Sequence, residues 1–385
     1  MRNQKHLFSL QEDIHYLNCA YKAPLLKSCE VAATKALKDD RNPIGRTPEH
    51  FFKDLGIIKS EFSKIVKCNP SQVAIIPSSS YGIASALKNI HCQPGQHAIT
   101  IKDEFPSDYL ALHKWCANHK AELRVISAEA INGRVGEAWN RSILESITED
   151  TALVIMSSVH WMNGIKFNLE EIGAKCKAVG AKFVVDGTQS VGALQIDVNK
   201  FNIDALICAA YKWLFGPYST GVAFYGDAFN GGEPIEESWM NRTNAADFAK
   251  LTNYDLNYTP DAGRYNVGQT SNFILAPMLK SSLIQINTWG VEQIELYCSQ
   301  LVRPLFDYLN KLGLTIEDDA FRTNHLFGLP MPKDVSSDRL KANFAKNNIY
   351  VSVRGQSLRI SVNVFNTEQD ISKLIEVIEA SRGTA

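Results

Sequence analysis

Short apolar runs alternate with longer amphipathic stretches along most of the chain. The apolar runs are bounded by Gly, Pro or polar residues, which is typical of buried strands in a parallel sheet. They predict strands at 73–76, 97–101, 123–126, 152–156, 183–185, 205–210 and 221–225. Helical periodicity predicts helices at 28–40, 49–67 and 141–147, and a long helical stretch from 273 to 312. The alternation indicates an α/β fold.

An acidic and a basic residue lie just beyond two of the predicted strands. Asp186 follows the run 183–185, and Lys212 follows the run 205–210 in a loop rich in Gly, Pro and aromatic residues. Open α/β sheets bind ligands at the carboxyl ends of their strands, so both side chains can converge on one ligand. Together they favour Schiff-base chemistry with pyridoxal phosphate, because an amine holds the aldehyde and an anion keeps the ring nitrogen protonated. The alternative is that Asp186 caps a turn and Lys212 is a solvated loop cation.

Two segments around these residues resemble the class V aminotransferase family. They read Val-Asp-Gly-Thr-Gln-Ser-Val-Gly at 185–192 and Tyr-Lys-Trp-Leu-Phe-Gly-Pro at 211–217. This family of pyridoxal-phosphate enzymes includes cysteine desulfurases, kynureninase, isopenicillin N epimerase-like proteins and small-amino-acid transaminases. The resemblance implies pyridoxal 5'-phosphate as the cofactor and Lys212 as the catalytic residue that carries it.

The resemblance also implies a fold and an assembly. The expected fold is of the aspartate aminotransferase type, with a mostly parallel seven-stranded sheet in a large cofactor-binding domain and a small C-terminal α/β domain. The large domain is expected at 15–280, and the small domain is expected to combine an N-terminal arm, 1–14, with residues 281–385. The family further implies a homodimer with the active site at the subunit interface.

Composition narrows the range of partners. The 385 residues are 45% hydrophobic and 21% charged, which is ordinary for a globular protein long enough for two domains. A net charge of −1 without long runs of one sign indicates neither a nucleic-acid nor an anionic-membrane partner. No apolar window reaches transmembrane length, and the eight cysteines form no Cys-x-x-Cys pair or Cys/His cluster. We therefore expect a cytoplasmic protein without a metal site.

Three consecutive serines follow the first predicted strand, where a helix is expected to begin. Their hydroxyls and the first free N–H groups of the helix can donate to an anion, although serine is also a common helix N-cap. The resemblance implies that Ser79 and Ser80 bind the cofactor phosphate. The segment 264–272 resembles the family loop that reaches across the dimer to the neighbouring subunit's phosphate, with either Gln269 or Thr270 as the ligand.

Four residues are candidates for contacts with the rest of the cofactor. Phe105 follows the strand 97–101, where an aromatic side chain can stack on a pyridine ring, although a lone phenylalanine is more often part of a core. The resemblance implies that Trp161 lies beside the ring, where desulfurases place an asparagine. It also implies that Gln189 faces the ring hydroxyl or the neighbouring imine, and that the Tyr211 hydroxyl can bind the phosphate.

Three residues are candidates for contacts with the substrate. Arg359 lies on a predicted strand of the C-terminal region, and a guanidinium can grip a carboxylate with two parallel hydrogen bonds. The resemblance implies that it binds the α-carboxylate of an amino acid, whereas an arginine on an edge strand is otherwise usually solvated. His160 can relay protons or be a structural histidine. Asn18 belongs to the segment that lies over the active site in the family, or to an ordinary docking segment.

The expected reaction begins with removal of the Cα proton of a small amino acid by Lys212, whose pKa burial should lower. Transamination needs only this base and the electron-withdrawing ring, so an aminotransferase is the leading prediction. An epimerase or a C–S or β-lyase would use the same residues. A cysteine desulfurase is disfavoured, because the segment 347–356 before Arg359 contains no cysteine. A protein that binds the cofactor without catalysis is the alternative from another class.

Overall fold

A seven-stranded sheet forms the centre of the computed structural model, which describes residues 1–330, 336–354 and 357–382. Strands are numbered along the chain, and the first, β1 (His15–Tyr16), lies outside this sheet. The strands of the large sheet are β2 (Val73–Ile76), β3 (His97–Ile101), β4 (Glu122–Ile126), β5 (Thr151–Ser157), β6 (Lys182–Asp186), β7 (Ala205–Ala209) and β8 (Gly221–Tyr225). These bounds confirm every predicted strand to within one or two residues.

The large sheet is mostly parallel. Its order is β2-β8-β7-β6-β5-β3-β4, and β8 runs antiparallel to its neighbours β7 and β2. The other neighbouring pairs are parallel. The predicted fold, an α/β fold of the aspartate aminotransferase type built on a mostly parallel seven-stranded sheet, is therefore confirmed. Parallel sheets need both faces covered, which is why the strands read as continuous apolar runs.

Helices cover both faces of the sheet and divide its side chains between two cores. The helices are α1 (Lys27–Asp39), α2 (Lys53–Val66), α3 (Ser79–Lys88), α4 (Pro106–His119), α5 (Gly136–Ser146), α6 (Leu169–Val179), α7 (Leu275–Trp289), α8 (Val291–Lys311), α9 (Ser337–Lys346) and α10 (Glu368–Ser381). In β6, Phe183 and Val185 belong to one core and Val184 to the other, as the alternation of a strand requires. In the described part of the chain, no helix is both long and apolar enough to cross a membrane.

Three of the predicted helices differ from the structure, and one of them, predicted at 141–147, begins five residues earlier as α5. The stretch from 273 to 312 is two helices, α7 and α8, because Gly290 separates them at a φ of +79°, a conformation that glycine adopts without steric cost. The predicted helix 49–67 begins instead as a short 3-10 turn, Pro48–Phe51, before α2. The expected domain boundary at residue 280 falls inside α7.

The N-terminal segment is joined to the C-terminal region. The strands β9 (Leu326–Pro330), β11 (Ser352–Arg354) and β12 (Ser357–Ser361) form an antiparallel sheet in the order β11-β12-β9. The strand β10 (Ile349–Tyr350) pairs in parallel with β1. Beyond β1, the backbone N–H of Ala23 donates to the carbonyl of Tyr211 at 3.0 Å. The N-terminal segment therefore connects the small sheet to the loop that carries Lys212.

We predict opposite effects on stability for alanine at two helical glycines. A Cβ on Gly173 of α6 would lie 1.8 Å from the carbonyl oxygen of Phe201, whereas one on Gly56 of α2 would meet nothing within 4 Å. Gly173→Ala should therefore destabilise the protein by about 1–3 kcal/mol through overpacking. Gly56→Ala should stabilise it by about 0.5–1 kcal/mol, the difference in helix propensity. Urea denaturation midpoints measure both variants, and shifts in the same direction would contradict this packing.

Candidate active site

The carboxyl ends of three neighbouring strands meet in one pocket of about 320 Å³. The last residues of β5, β6 and β7, which are Ser157, Asp186 and Ala209, all line it. Lys212 follows β7 and lines the same pocket. The structure therefore brings Asp186 and Lys212 together at the sheet edge where open α/β folds bind ligands.

Lys212 is buried, with 6% of its surface exposed. Burial lowers the pKa of its amine to about 8, because the ammonium loses its hydration. The carboxylate of Asp186 opposes this shift, and the positive charge of Arg359 adds to it. An amine with such a pKa is partly neutral near physiological pH, so it can act as a nucleophile or a base. The alternative of a solvated loop cation does not fit this environment.

Asp186 is held in place by the turn that follows β6. The backbone N–H of Thr188 donates to its Oδ1 at 2.7 Å. The hydroxyl oxygen of Thr188 in turn accepts from the backbone N–H of Ala209 at 3.0 Å and lies 3.1 Å from the hydroxyl of Ser79. Thr188 therefore ties the end of β6 to the end of β7 and to the start of α3.

The predicted phosphate-binding serines lie at the N-terminus of α3, inside the pocket. Ser78 is the N-cap residue and accepts from the backbone N–H of Tyr81 at 3.2 Å. Its hydroxyl also lies 2.9 Å from that of Ser80. Ser79 and Ser80 thus present hydroxyls beside the free N–H groups of a helix N-terminus, an arrangement that favours a bound anion.

Aromatic side chains wall the pocket on the side of Lys212. Its Nζ lies 5.5 Å from the ring centroid of Phe105 and 5.5 Å from that of Tyr211. The Phe105 ring stands perpendicular to that of Trp161 at a centroid distance of 5.7 Å. Tyr211 packs against the exposed ring of Tyr218 at 4.7 Å. Phe105 therefore borders the pocket instead of filling a core.

The side chain of Gln189 has a defined orientation. Its Oε1 accepts from the indole N–H of Trp213 at 2.9 Å, and its Nε2 donates to the carbonyl of Ala20 at 3.3 Å. The carbonyl oxygen of Gln189 lies 2.7 Å from Nε2 of His325, a buried histidine whose pKa burial lowers to about 4. Gln189 lines the pocket. Because its Oε1 already accepts a hydrogen bond from Trp213, its amide N–H₂ is the part of the side chain that remains as a donor.

Two of the predicted substrate-binding residues meet through a shared serine. The hydroxyl of Ser352 donates to Oδ1 of Asn18 at 2.8 Å, and Nη2 of Arg359 donates to the same hydroxyl at 3.5 Å. Nη1 of Arg359 donates to the carbonyl of Trp161 at 3.0 Å. Arg359 is 2% exposed and acts electrostatically on Lys212, so its guanidinium is buried near that amine, although neither Arg359 nor Asn18 lines the pocket.

Five predicted site residues lie outside the lining of this pocket, namely Arg359, Asn18, His160, Gln269 and Thr270. His160 lines a neighbouring cavity of about 240 Å³. Its Nδ1 lies 2.9 Å from Oδ1 of Asn163 and its Nε2 lies 3.2 Å from the carbonyl of Asp103. Burial lowers its pKa, as expected for a histidine held inside the fold. Gln269 and Thr270 also do not line the pocket of their own chain.

The structure adds pocket residues that the sequence did not single out. Tyr218, Ser219 and Thr220 follow the loop of Lys212 and line the same pocket as the serines of α3. Their only sequence signal is their position in a Gly-rich and Pro-rich loop after a strand. Thr188 carried a clearer signal, because it comes two residues after Asp186 at a strand end.

Comparison with known proteins relates this site to one family. A family model described as aminotransferase class-V matches residues 55–374. An uncharacterized aminotransferase of Bacillus subtilis (strain 168) is 24% identical over 328 residues, which cover 84% of this chain and 82% of that protein. An uncharacterized aminotransferase of Schizosaccharomyces pombe is 24% identical over 393 residues, covering 98% and 94%. The kynureninase of Shouchella clausii (strain KSM-K16) is 22% identical over 336 residues, covering 83% and 76%.

Solved structures share the fold over almost the whole chain. A complex of the cystine C-S lyase C-DES with its reaction product cysteine persulfide has a TM-score of 0.84 at 17% identity, covering 97% of this chain and 99% of that one. The cysteine desulfurase CsdA of Escherichia coli has a TM-score of 0.81 at 14% identity, covering 98% and 97%. At these identities the likeness establishes the fold.

We predict that Lys212 of the cofactor-free protein reacts with an acylating reagent with a half-point near pH 8, the pKa to which burial lowers its amine. Asp186→Asn should move this half-point to lower pH, because the carboxylate of Asp186 raises the pKa. Peptide mass spectrometry measures both profiles. The exposed Lys114 is the internal control, since the substitution should leave its profile unchanged. A Lys212 profile that coincides with that of Lys114 would contradict the burial argument.

Proposed function

Because the chain belongs to the class V aminotransferase family, we propose that it is an aminotransferase acting at the Cα of a small amino acid. The cofactor is pyridoxal 5'-phosphate. The observation that carries the proposal is the buried amine of Lys212, which shares one pocket with Asp186 and has a pKa lowered to about 8.

The side chains of the pocket fit this cofactor group by group. Asp186 would hold the ring nitrogen, Lys212 the aldehyde, and the hydroxyls of Ser79 and Ser80 the phosphate. Phe105 would cover the ring. When bound, the cofactor supplies an aldehyde that captures amines and a ring that withdraws electrons from the substrate's Cα.

Further residues would orient the cofactor and close its surroundings. Gln189 would donate to the ring hydroxyl through the second N–H of its amide, since Trp213 already occupies its side-chain oxygen and Ala20 accepts from its other N–H. Tyr211 would add a hydroxyl to the phosphate site, and Trp161 would shield the ring from water. Each of these three roles for Gln189, Tyr211 and Trp161 rests on the lining of the pocket and on the family resemblance.

Lys212 would move the proton of the substrate's Cα. Its pKa of about 8 leaves a substantial neutral fraction near physiological pH, so the free amine can take this proton. The carboxylate of Asp186 limits the fall of the Lys212 pKa, because it stabilises the ammonium form. Nζ can therefore keep the proton until Lys212 returns it to the substrate. A general base of this kind contributes about 10²–10⁴-fold to a rate.

Arg359 would bind the α-carboxylate of the substrate. A buried guanidinium pairs strongly with a carboxylate, and Ser352 and the carbonyl of Trp161 already orient its two terminal nitrogens. Asn18, joined to Ser352, would line the same end of the site. His160 is proposed as a nearby structural group, because both its ring nitrogens lie within hydrogen-bond distance of polar atoms outside the pocket.

Two observations argue against cysteine desulfuration. The segment 347–356 contains no cysteine that could reach the substrate from a loop. Cys19 acts electrostatically on Lys212, but its thiol is fully buried and burial raises its pKa to about 12. A thiol in that state is a poor nucleophile.

We propose a homodimer as the assembly. Neither Gln269 nor Thr270 lines the pocket, and the side chain of Gln269 is exposed, which leaves it available to a neighbouring subunit. Thr270 is buried and donates to the carbonyl of Val267, so within this chain Gln269 has the freer side chain. This difference favours Gln269 as the residue that would reach the partner's phosphate.

We predict that the holoenzyme transfers the amino group of a small amino acid to a keto acid. Incubation with single amino acids and a panel of keto acids should give one new keto acid for each new amino acid, measured by chromatography. Lys212→Ala should lower this rate by about 10²–10⁴-fold. Keto acid with free ammonia would indicate a lyase instead, and solvent deuterium at Cα without either product would indicate an epimerase. Protein that takes up no cofactor would contradict the proposal as a whole.

We predict that Arg359→Lys mainly weakens substrate binding. A lysine cannot form two parallel hydrogen bonds with a carboxylate, so the KM for the amino acid should rise about tenfold to a hundredfold. The kcat should change less, because the reacting groups are retained. Arg303→Lys on the exposed face of α8 is the matched control and should change neither constant. An unchanged KM for Arg359→Lys would remove Arg359 from the substrate site.

A further inference from the structure

Two more buried acids lie beside Asp186 that the proposed mechanism does not use. Glu104 lies in the short connection between β3 and α4, and Asp108 lies in the first turn of α4. Glu104 is 6% exposed and Asp108 is fully buried. Asp186 acts electrostatically on both acids, and Glu104 also acts on Asp108. Three carboxyl groups therefore share one desolvated region with the amine of Lys212.

Glu104 has the hydrogen bonds that a buried anion needs. Its Oε1 accepts from the backbone N–H of Phe105 at 2.7 Å and from the hydroxyl of Ser157. Its Oε2 accepts from the backbone N–H of Ser157 at 2.6 Å. Burial raises its pKa to about 7, and these donors oppose the rise. Glu104 thereby fixes the residue that walls the pocket, Phe105.

Asp108 has no such donors. Neither of its carboxyl oxygens has a hydrogen-bond donor as a partner among the residues that the structure describes. The group that faces it is another acceptor, the carboxylate of Asp186. Burial, the charges of Asp186 and Glu104, and this contact all raise the pKa of Asp108, and Lys212 alone among its neighbours lowers it. A buried anion without donors, next to two acids, is far less stable than the neutral acid.

We propose that Asp108 is a positioning residue that carries a proton at neutral pH and donates it in a hydrogen bond to the carboxylate of Asp186. This bond orients the carboxylate of Asp186 toward the nitrogen of the cofactor ring. The orientation of Asp186 toward the cofactor rests on the proposed function, because that function assigns Asp186 to the ring nitrogen. The protonation of Asp108 itself depends only on its surroundings in the fold.

The charges around this bond determine its pH range. The groups that face Asp108 are Asp186, Glu104 and Lys212. Around Asp186 lie the hydroxyl of Tyr211 and the thiol of Cys208, whose pKa values are both raised, so both are neutral at physiological pH. Among these groups Lys212 alone opposes the proton on Asp108, and its neutralisation in alkaline solution removes that opposition.

The protonation is tested by infrared difference spectroscopy of the purified full-length protein. Wild type minus Asp108→Asn should contain, at neutral pH, the carbonyl stretch of a protonated carboxyl group that shifts in deuterium oxide. Wild type minus Asp307→Asn, a change at an exposed aspartate of α8, should lack that band. A spectrum that shows only the stretches of an ionised carboxylate for Asp108 would overturn the proposal.

The positioning role is tested by the affinity for added pyridoxal 5'-phosphate, measured by equilibrium dialysis. Asp108→Ala should weaken binding about tenfold to a hundredfold, the effect of losing a hydrogen bond to a charged group. Asp108→Asn should restore most of that loss, because its amide is a neutral donor of similar shape. An asparagine variant as weak as the alanine variant would mean that Asp108 acts as an anion, and the proposal would fail.

The two tests separate this proposal from the proposed function. If the infrared band is present but no variant binds the cofactor, including the wild type, the proposed function fails while the protonated Asp108 stands. If the wild type binds the cofactor and transfers amino groups but the band is absent, the proposed function stands and the role of Asp108 fails. Should Asp108→Ala not fold, the infrared comparison of wild type with Asp108→Asn still decides the point.

Discussion

The loss of hydration when the amine of Lys212 is buried is the constraint on which the central pocket depends. An ammonium group in water is strongly hydrated, and Lys212 loses that hydration, which lowers its pKa to about 8. Asp186 limits the fall and Arg359 increases it. The amine is thus held between an anion that retains its proton and a cation that repels it. This balance lets one group both take and return a proton near physiological pH.

The sheet supplies the rigidity that this balance requires. Electrostatic effects fall off with distance, so the charges must be held in place by elements that do not move independently. Asp186 ends a strand that is hydrogen-bonded on both sides, and Thr188 joins that strand end to β7 and α3. The small sheet and the N-terminal segment hold Arg359 and Asn18 together through the hydroxyl of Ser352. The pocket is therefore lined by the large sheet and its connections, and the C-terminal region is joined to this lining through the hydrogen bond from Arg359 to the carbonyl of Trp161.

The acids near Asp186 illustrate how a buried site distributes charge. Glu104 is surrounded by donors, whereas Asp108 faces other acids and has no donor among the described residues. Burying several like charges together is costly, so the neutral form of the least supported group is favoured. The environment thus gives different properties to carboxyl groups that are chemically alike.

The sequence by itself determined the strands, because each is buried on both faces and so reads as an apolar run between Gly, Pro and polar residues. It also determined that Asp186 and Lys212 would meet, since residues that end parallel strands share one edge. Only the tertiary structure decided the partners of individual side chains. His160 faces Asp103 and Asn163 outside the pocket, and Asp108, which reads as an ordinary acid in a first helical turn, lies against Asp186. The local pattern of apolar and polar residues indicates how deeply a segment is buried. The partners of a side chain belong to segments that are far away in sequence, and only the folded chain brings these segments together.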